Sequence, residues 1–267
     1  MANERLPVNA IPWKRRVMSR KGHRPSQSPQ GRPRFWGRHA VTAALSNPDR
    51  VVRKLWGTRE AIQPLAPPSS LPVEFMQPAD LARLVPSDAP HQGLVIEVDP
   101  LDDIWLGDLL ARGKDSNRPL VILDQVTDPH NVGAIMRSAA AFNALGIITQ
   151  DRHAPPESGA LAKSASGTLE VVPWVRVVNL ARALGEIADA GYWRIGLTGD
   201  TDQTLDSALG GGKVALVLGA EGEGMRHNVK EHCDVLARLP ISDQVESLNV
   251  SNAAAIALYA AQVKREA

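Results

Sequence analysis

Leu120-Val121-Ile122-Leu123-Asp124-Gln125-Val126-Thr127-Asp128-Pro129-His130-Asn131-Val132-Gly133-Ala134-Ile135-Met136-Arg137 is the stretch that decides the fold class. Its first four residues are all apolar, the pattern of a strand covered on both faces, as in a parallel sheet. Val132, Ile135, Met136, Ala139 and Ala140 then recur at helical spacing and predict a helix over about 132–143. Downstream the alternation continues. Strands are expected at 145–149, 171–178, 194–198, 214–218 and 235–239, and helices at 158–169, 180–190 and from 248 to the end. Pro173 makes 171–178 an edge or irregular strand. Asn179 reads as a helix cap and Gly191 as a helix stop. Strand–helix alternation of this length predicts an α/β fold, a mostly parallel sheet with right-handed crossovers.

Working outward, residues 35–98 read as a smaller α/β unit. A helix is expected over 37–45, strands at 51–56, 73–76 and 94–98, and a short helix over 78–84. Residues 99–118 read as a linker, with a turn or two of helix at 104–110 before the breaker cluster 113–117. Residues 119–267 are then the main domain. The chain length of 267 residues fits one or two domains.

Residues 1–38 hold ten Lys/Arg and one acid, whereas the rest of the chain holds 20 basic and 28 acidic residues. Five prolines (Pro7, Pro12, Pro25, Pro29 and Pro33) break any continuous helix in that segment. Residues 1–34 therefore read as a basic disordered arm. Such an arm gains affinity for a polyanion by counterion release. A solvated tail without a partner is the plainer reading. A transit peptide is a third, though the prolines spoil the amphipathic helix that it needs.

Other classes are set aside by what is missing. The single cysteine, Cys233, excludes a disulfide framework and a Cys-based zinc site, and fits a reducing compartment. The seven histidines show no ligand spacing, so no metal is expected. No apolar run is long enough to span a membrane, no secretory h-region is present, and a cytoplasmic protein is expected. No G-x-G-x-x-G follows a strand, and Gly210-Gly211-Gly212-Lys213 precedes one. No G-x-S-x-G elbow occurs.

In open parallel sheets, ligands bind beyond the carboxyl ends of the strands. Three such ends are chemically dense: Leu123 to Arg137, Leu218-Gly219-Ala220-Glu221-Gly222-Glu223-Gly224-Met225, and Leu239-Pro240-Ile241 with Glu246-Ser247-Leu248-Asn249-Val250-Ser251-Asn252. Together they resemble the three motifs of the SpoU-class RNA ribose 2′-O-methyltransferases, members of the knotted SPOUT superfamily. The resemblance covers nearly all of residues 35–265. Gly37-Arg38-His39-Ala40-Val41 and His91-Gln92-Gly93 resemble the branch that methylates a guanosine ribose in large-subunit (23S) ribosomal RNA.

The resemblance implies a parallel α/β domain with a C-terminal trefoil knot, preceded by a small RNA-binding domain that selects the target. It implies S-adenosylmethionine as methyl donor, bound by Thr198, Gly199, Gly219, Glu221, Gly222, Leu239, Pro240, Ile241, Ser247 and Leu248. It places Asn131, Arg137, Glu221, Ser247 and Asn249 at the reacting centre, and implies a homodimer with the substrate site built across it. On residue type alone, Asn131 also reads as a helix cap, Arg137 as a solvated helix residue, Glu221 as a helix-start carboxylate, and Ser247, Asn249 and Ser251 as caps of the last helix. A guanidinium holds its proton tightly, so Arg137 reads better as a phosphate clamp and alkoxide stabiliser than as a base. Ala253-Ala254-Ala255-Ile256-Ala257-Leu258 suits close helix contact, within one chain or between two. Asp243 and Glu246 depart from the family pattern and add negative charge near the substrate side. A transfer-RNA ribose methylase and a non-catalytic RNA-binding ribosome-assembly factor are the rival functions.

Overall fold

The computed structural model describes residues 31–266. Most of the arm expected over 1–34 thus lies outside the described residues. Two sheets form. The first contains β1 (Arg34–Trp36), β2 (Val52–Gly57), β3 (Val73–Phe75) and β4 (Leu94–Val98), in the order β1-β4-β2-β3. β4 runs antiparallel to β1 and β2, and β3 joins β2 in parallel at the edge. The sequence pattern does not predict β1. Three residues carry no period, and only pairing with β4, Phe35 opposite Ile96, makes them a strand.

The second sheet is wholly parallel: β5 (Leu120–Leu123), β6 (Gly146–Gln150), β7 (Trp174–Val177), β8 (Trp193–Leu197), β9 (Val214–Leu218) and β10 (Val235–Ala237) lie in the order β10-β8-β9-β5-β6-β7. The α/β expectation holds, and β7, which follows Pro173, sits at the sheet edge. Alternate residues of β5 point to opposite faces. Val121 and Leu123 join one apolar core, and Leu120 and Ile122 the other.

Six helices of seven or more residues occur among the described residues: α1 (Arg38–Ser46), α2 (Leu106–Arg112), α3 (Pro129–Ala141), α4 (Gly159–Ala165), α5 (Leu180–Asp189) and α6 (Val250–Glu266). Two differ from the sequence reading by three residues or more. α3 starts three residues early because Asp128, not Asn131, is its cap. The Asp128 carboxylate accepts from the His130 amide at 2.9 Å, and Pro129 fills the first helical position. α4 stops at Ala165 because Ser166 (φ 52) and Gly167 (φ 92) turn left-handed. Asn179 does cap α5, accepting from the Arg182 amide at 3.1 Å. Gly191 does follow its end in the left-handed region, with φ 84.

The larger core runs continuously from Phe35, Leu55 and Ile96 of the first sheet, through Leu161 and Ala165 of α4, to Leu216 and α6. A Cβ on Gly159 would overlap the Trp36 ring, so only glycine lets α4 approach β1 this closely. Arg50 ties the same junction. Its side chain is fully buried, with Nη1 at 2.7 Å from Glu157 and Nη2 at 2.8 Å from Glu170. Burial opposes its charge, but the two carboxylates outweigh that and raise its pKa.

α6 packs along α3. Ala254, Ala257, Leu258 and Ala261 face inward, so the alanine-rich stretch serves contact within the chain. Ile256, Tyr259 and Val263 form an exposed stripe at helical spacing. Among the described residues no helix is long and apolar enough to cross a membrane.

Candidate active site

The carboxyl ends of β10, β8, β9 and β5 lie side by side. Ala237 pairs with Leu197, Gly196 with Val217, and Leu218 with Leu123, so the strands finish nearly level. Neighbouring strands sit about 5 Å apart. The segments Thr198–Gly199, Gly219–Gly222 and Leu239–Ile241 therefore leave the sheet at adjacent points. The Thr198 amide donates to the Ala237 carbonyl at 3.0 Å, which ties the first of these to the end of β10.

Gly219 begins a closed loop. Ala220 and Gly224 exchange backbone hydrogen bonds at 3.2 and 3.0 Å. A Cβ at Gly219 would overlap the Gly224 backbone, so no other residue fits. Gly222 and Gly199, in contrast, are exposed and face open space.

Three distant polar residues converge beside this loop. Glu221 Oε1 accepts from Asn131 Nδ2 at 3.1 Å, from Asn249 Nδ2 at 2.6 Å and from the Val250 amide at 3.3 Å. Asn249 Nδ2 also donates to Asn131 Oδ1 at 3.0 Å. With Asp128 capping α3, the Asn131 side chain is released for this contact. The carboxylate is thus oriented by two amides and by the first turn of α6. Glu221 and Asn249 are exposed and Asn131 is half-buried, so the cluster faces solvent on one side.

Arg137 does not join it. It lies six residues along α3 from Asn131, about 9 Å of helix rise further on. It is exposed, and its side chain forms no hydrogen bond or ion pair among the described residues. Ser247 is exposed and Leu248 half-buried, just before Asn249. Leu239 and Ile241 are half-buried and Pro240 exposed.

One ion pair beside the site escapes sequence reasoning. Asp124, fully buried at the end of β5, accepts from the Arg226 amide at 2.8 Å and from Arg226 Nε at 2.9 Å. Arg226 Nη2 also donates to Gln150 at 2.7 Å. This ion pair pins the far end of the 219–226 loop to the sheet. Its only sequence signal is an acid directly after four apolar strand residues. Gln125 then leaves the sheet with a left-handed backbone, φ 60.

Residues 118–259 match the SpoU rRNA methylase family, and residues 35–103 match the RNA 2′-O ribose methyltransferase substrate-binding family. The chain belongs to the SpoU rRNA methylase family. Among SpoU relatives, the 23S rRNA (guanosine-2′-O-)-methyltransferase RlmB of Pseudomonas putida is 36% identical, over 87% of this chain and 98% of that protein. The enzyme of the same name from Ralstonia nicotianae is 38% identical, over 86% and 94%. The SpoU methyltransferase AviRb from Streptomyces viridochromogenes, solved in complex with the cofactor AdoMet, shares the fold. It has a TM-score of 0.74 at 24% identity, covering 88% of this chain and 91% of that one.

Proposed function

We propose that this SpoU protein transfers the methyl group of S-adenosylmethionine to the 2′-hydroxyl of a guanosine in 23S ribosomal RNA, in the cytoplasm. The observation that carries this reading is the Asn131–Glu221–Asn249 cluster, which joins all three family motifs through side-chain hydrogen bonds. The RlmB relatives support the nucleoside and the RNA.

The donor would be held by Thr198, Gly199, Gly219, Glu221, Gly222, Leu239, Pro240, Ile241, Ser247 and Leu248. The neighbouring strand ends and the open space at Gly199 and Gly222 fit such a ligand. When bound, S-adenosylmethionine supplies an electrophilic methyl on a sulfonium. The transfer would join the 2′-oxygen to the methyl, release the sulfur as a neutral thioether and pass the hydroxyl proton to the solvent that reaches the Asn131–Glu221–Asn249 cluster. Glu221, fixed by Asn131 and Asn249, offers a carboxylate oriented toward the incoming hydroxyl. Arg137 clamps an RNA phosphate and stabilises the forming alkoxide. Its separation from Asn131 along α3 supports a site completed by a second copy. The exposed stripe of Ile256, Tyr259 and Val263 supports α6 as the homodimer interface. The trefoil knot belongs to the same proposal. It is supported by β10 lying beside β8 and by the return of the chain through Asn249 to α3.

The test maps ribose methylation in ribosomal and transfer RNA with and without the gene. Loss of one guanosine mark in 23S rRNA is expected, and loss of a transfer-RNA mark instead overturns the substrate assignment. Calorimetry with S-adenosylmethionine separates enzyme from assembly factor, since the latter shows no donor binding. Arg137→Ala should abolish turnover while donor binding survives, and near-normal activity would refute its role.

A further inference from the structure

Two motifs of the small unit, Gly37-Arg38-His39 and His91-Gln92-Gly93, have no part in the chemistry above, yet they meet. Gln92 takes a left-handed backbone, φ 54, which places its side chain against the start of α1. Its Oε1 accepts from the Arg38 amide at 3.0 Å and from Lys163 Nζ at 3.1 Å. Lys163 also donates to the Pro90 carbonyl at 3.3 Å. A Cβ on Gly37 would lie 2.5 Å from Lys163 Nζ and 3.0 Å from Gln92 Oε1, so glycine is what admits the lysine. Lys163 stands on α4, and its neighbour Ser164 donates to the His130 carbonyl at 2.8 Å, one residue before Asn131. The junction therefore connects the first sheet to the start of the helix that carries Asn131.

Its charge is uncompensated. Both acceptors of Lys163 are neutral oxygens, and neither Lys163 nor Arg38 forms an ion pair among the described residues. Arg38, His39 and His130 are exposed beside it. Asp128, the nearby acid in sequence, caps α3 and forms no ion pair with either cation. Gln92 Oε1 thus holds the Lys163 ammonium beside the backbone of Arg38, whose exposed side chain carries a second charge without an ion-pair partner among the described residues. In a protein acting on RNA, the anion that suits these two cations is a backbone phosphate.

We propose that Lys163, held at the junction of the two sheets by the Gln92 side-chain oxygen, and Arg38, whose backbone the same oxygen fixes, bind a phosphate of the RNA strand passing from the small unit to the Asn131–Glu221–Asn249 cluster. This rests on the RNA-methylating reading of the site. The bland alternative makes Gln92 a long-range helix cap and Lys163 a structural tie, and binding measured against salt separates the two. Each lost phosphate contact lowers the slope of log affinity against log salt by about 0.7 for a single strand.

The probe is a set of large-subunit ribosomal RNA fragments, titrated at several salt concentrations with the full chain. Lys163→Met and Arg38→Met are each expected to lower the slope by about 0.7, and the double variant by about 1.4, with S-adenosylmethionine affinity unchanged. Gln92→Glu keeps both acceptor contacts but neutralises Lys163. It should weaken RNA binding with no loss of thermal stability, which covers the case in which Lys163→Met fails to fold. Wild-type slopes in Lys163→Met and Gln92→Glu overturn the proposal. Slope changes in a protein that transfers no methyl group would instead overturn the enzymatic reading and leave the phosphate seat standing.

Discussion

Replacing Asp124 by alanine removes the buried end of the tie between β5 and the 219–226 loop. Arg226 would lose an acceptor for its amide and for its guanidinium, at 2.8 and 2.9 Å. Breaking one side of a buried ion pair costs about 3–5 kcal/mol. The Arg226 side chain is 32% exposed and keeps its bond to Gln150, so part of its charge can be rehydrated in place. The lower end, about 3 kcal/mol, is therefore expected. For a chain of this size that lowers Tm by roughly 6–12 °C. The loop also loses its anchor opposite Gly219. Re-ordering one or two of its residues on donor binding costs about 1–2 kcal/mol each, so the donor Kd should rise about tenfold or more. Asp124→Asn preserves shape and one acceptor and should recover part of both losses. Thermal denaturation and titration calorimetry read the two effects separately. A Tm within about 2 °C of wild type together with an unchanged donor Kd would show that the pair does not anchor the loop.

Asn249→Ala removes one of the amides orienting Glu221. Turnover should fall about 10- to 100-fold, the equivalent of one charge-assisted hydrogen bond, and wild-type kinetics would contradict this. Asn249 Oδ1 also accepts from the Ser251 amide at 2.9 Å and caps α6, so about 1 kcal/mol of stability, or roughly 2–4 °C of Tm, should go with it. Burial pushes the Cys233 thiol up to about 11 and the Tyr192 hydroxyl up to about 12. Both groups keep protons that the unfolded chain releases, so stability should be flat below about pH 9 and fall through pH 11–12. Urea titrations of wild type against Cys233→Ala and Tyr192→Phe test this, and equal alkaline slopes in all three would refute it. Ile256→Glu or Tyr259→Glu should convert a dimer to a monomer in sedimentation and lose activity with it. A variant that keeps the dimer mass removes α6 from the interface.

Much of the second sheet is legible in the sequence, because strands covered on both faces must be apolar along their whole length. Leu120–Leu123 and Val214–Leu218 are observed with the expected bounds. Where a boundary is set by a cap instead of by periodicity, the apolar pattern misleads. The Asp128–Pro129 start of α3 and the Ser166–Gly167 stop of α4 are local backbone events. The site is legible as three motifs. Their convergence is not, since Asn131 and Asn249 lie 118 residues apart. Asp124–Arg226 and Arg50–Glu170 escape for the same reason, with 102 and 120 residues between the partners. In sequence each of these charges is indistinguishable from a solvated one.

The burial of Arg50 between Glu157 and Glu170 has a bearing on protein engineering. A chimera that exchanges residues 35–98 for another recognition module would strand two acids, whose side chains are only 9% and 4% exposed, without their cation. The guest module must bring its own guanidinium to that spot, or both acids must be replaced by apolar residues at the same time. Retargeting such an enzyme by simple fusion would fail at this joint before it was ever tried on a new substrate.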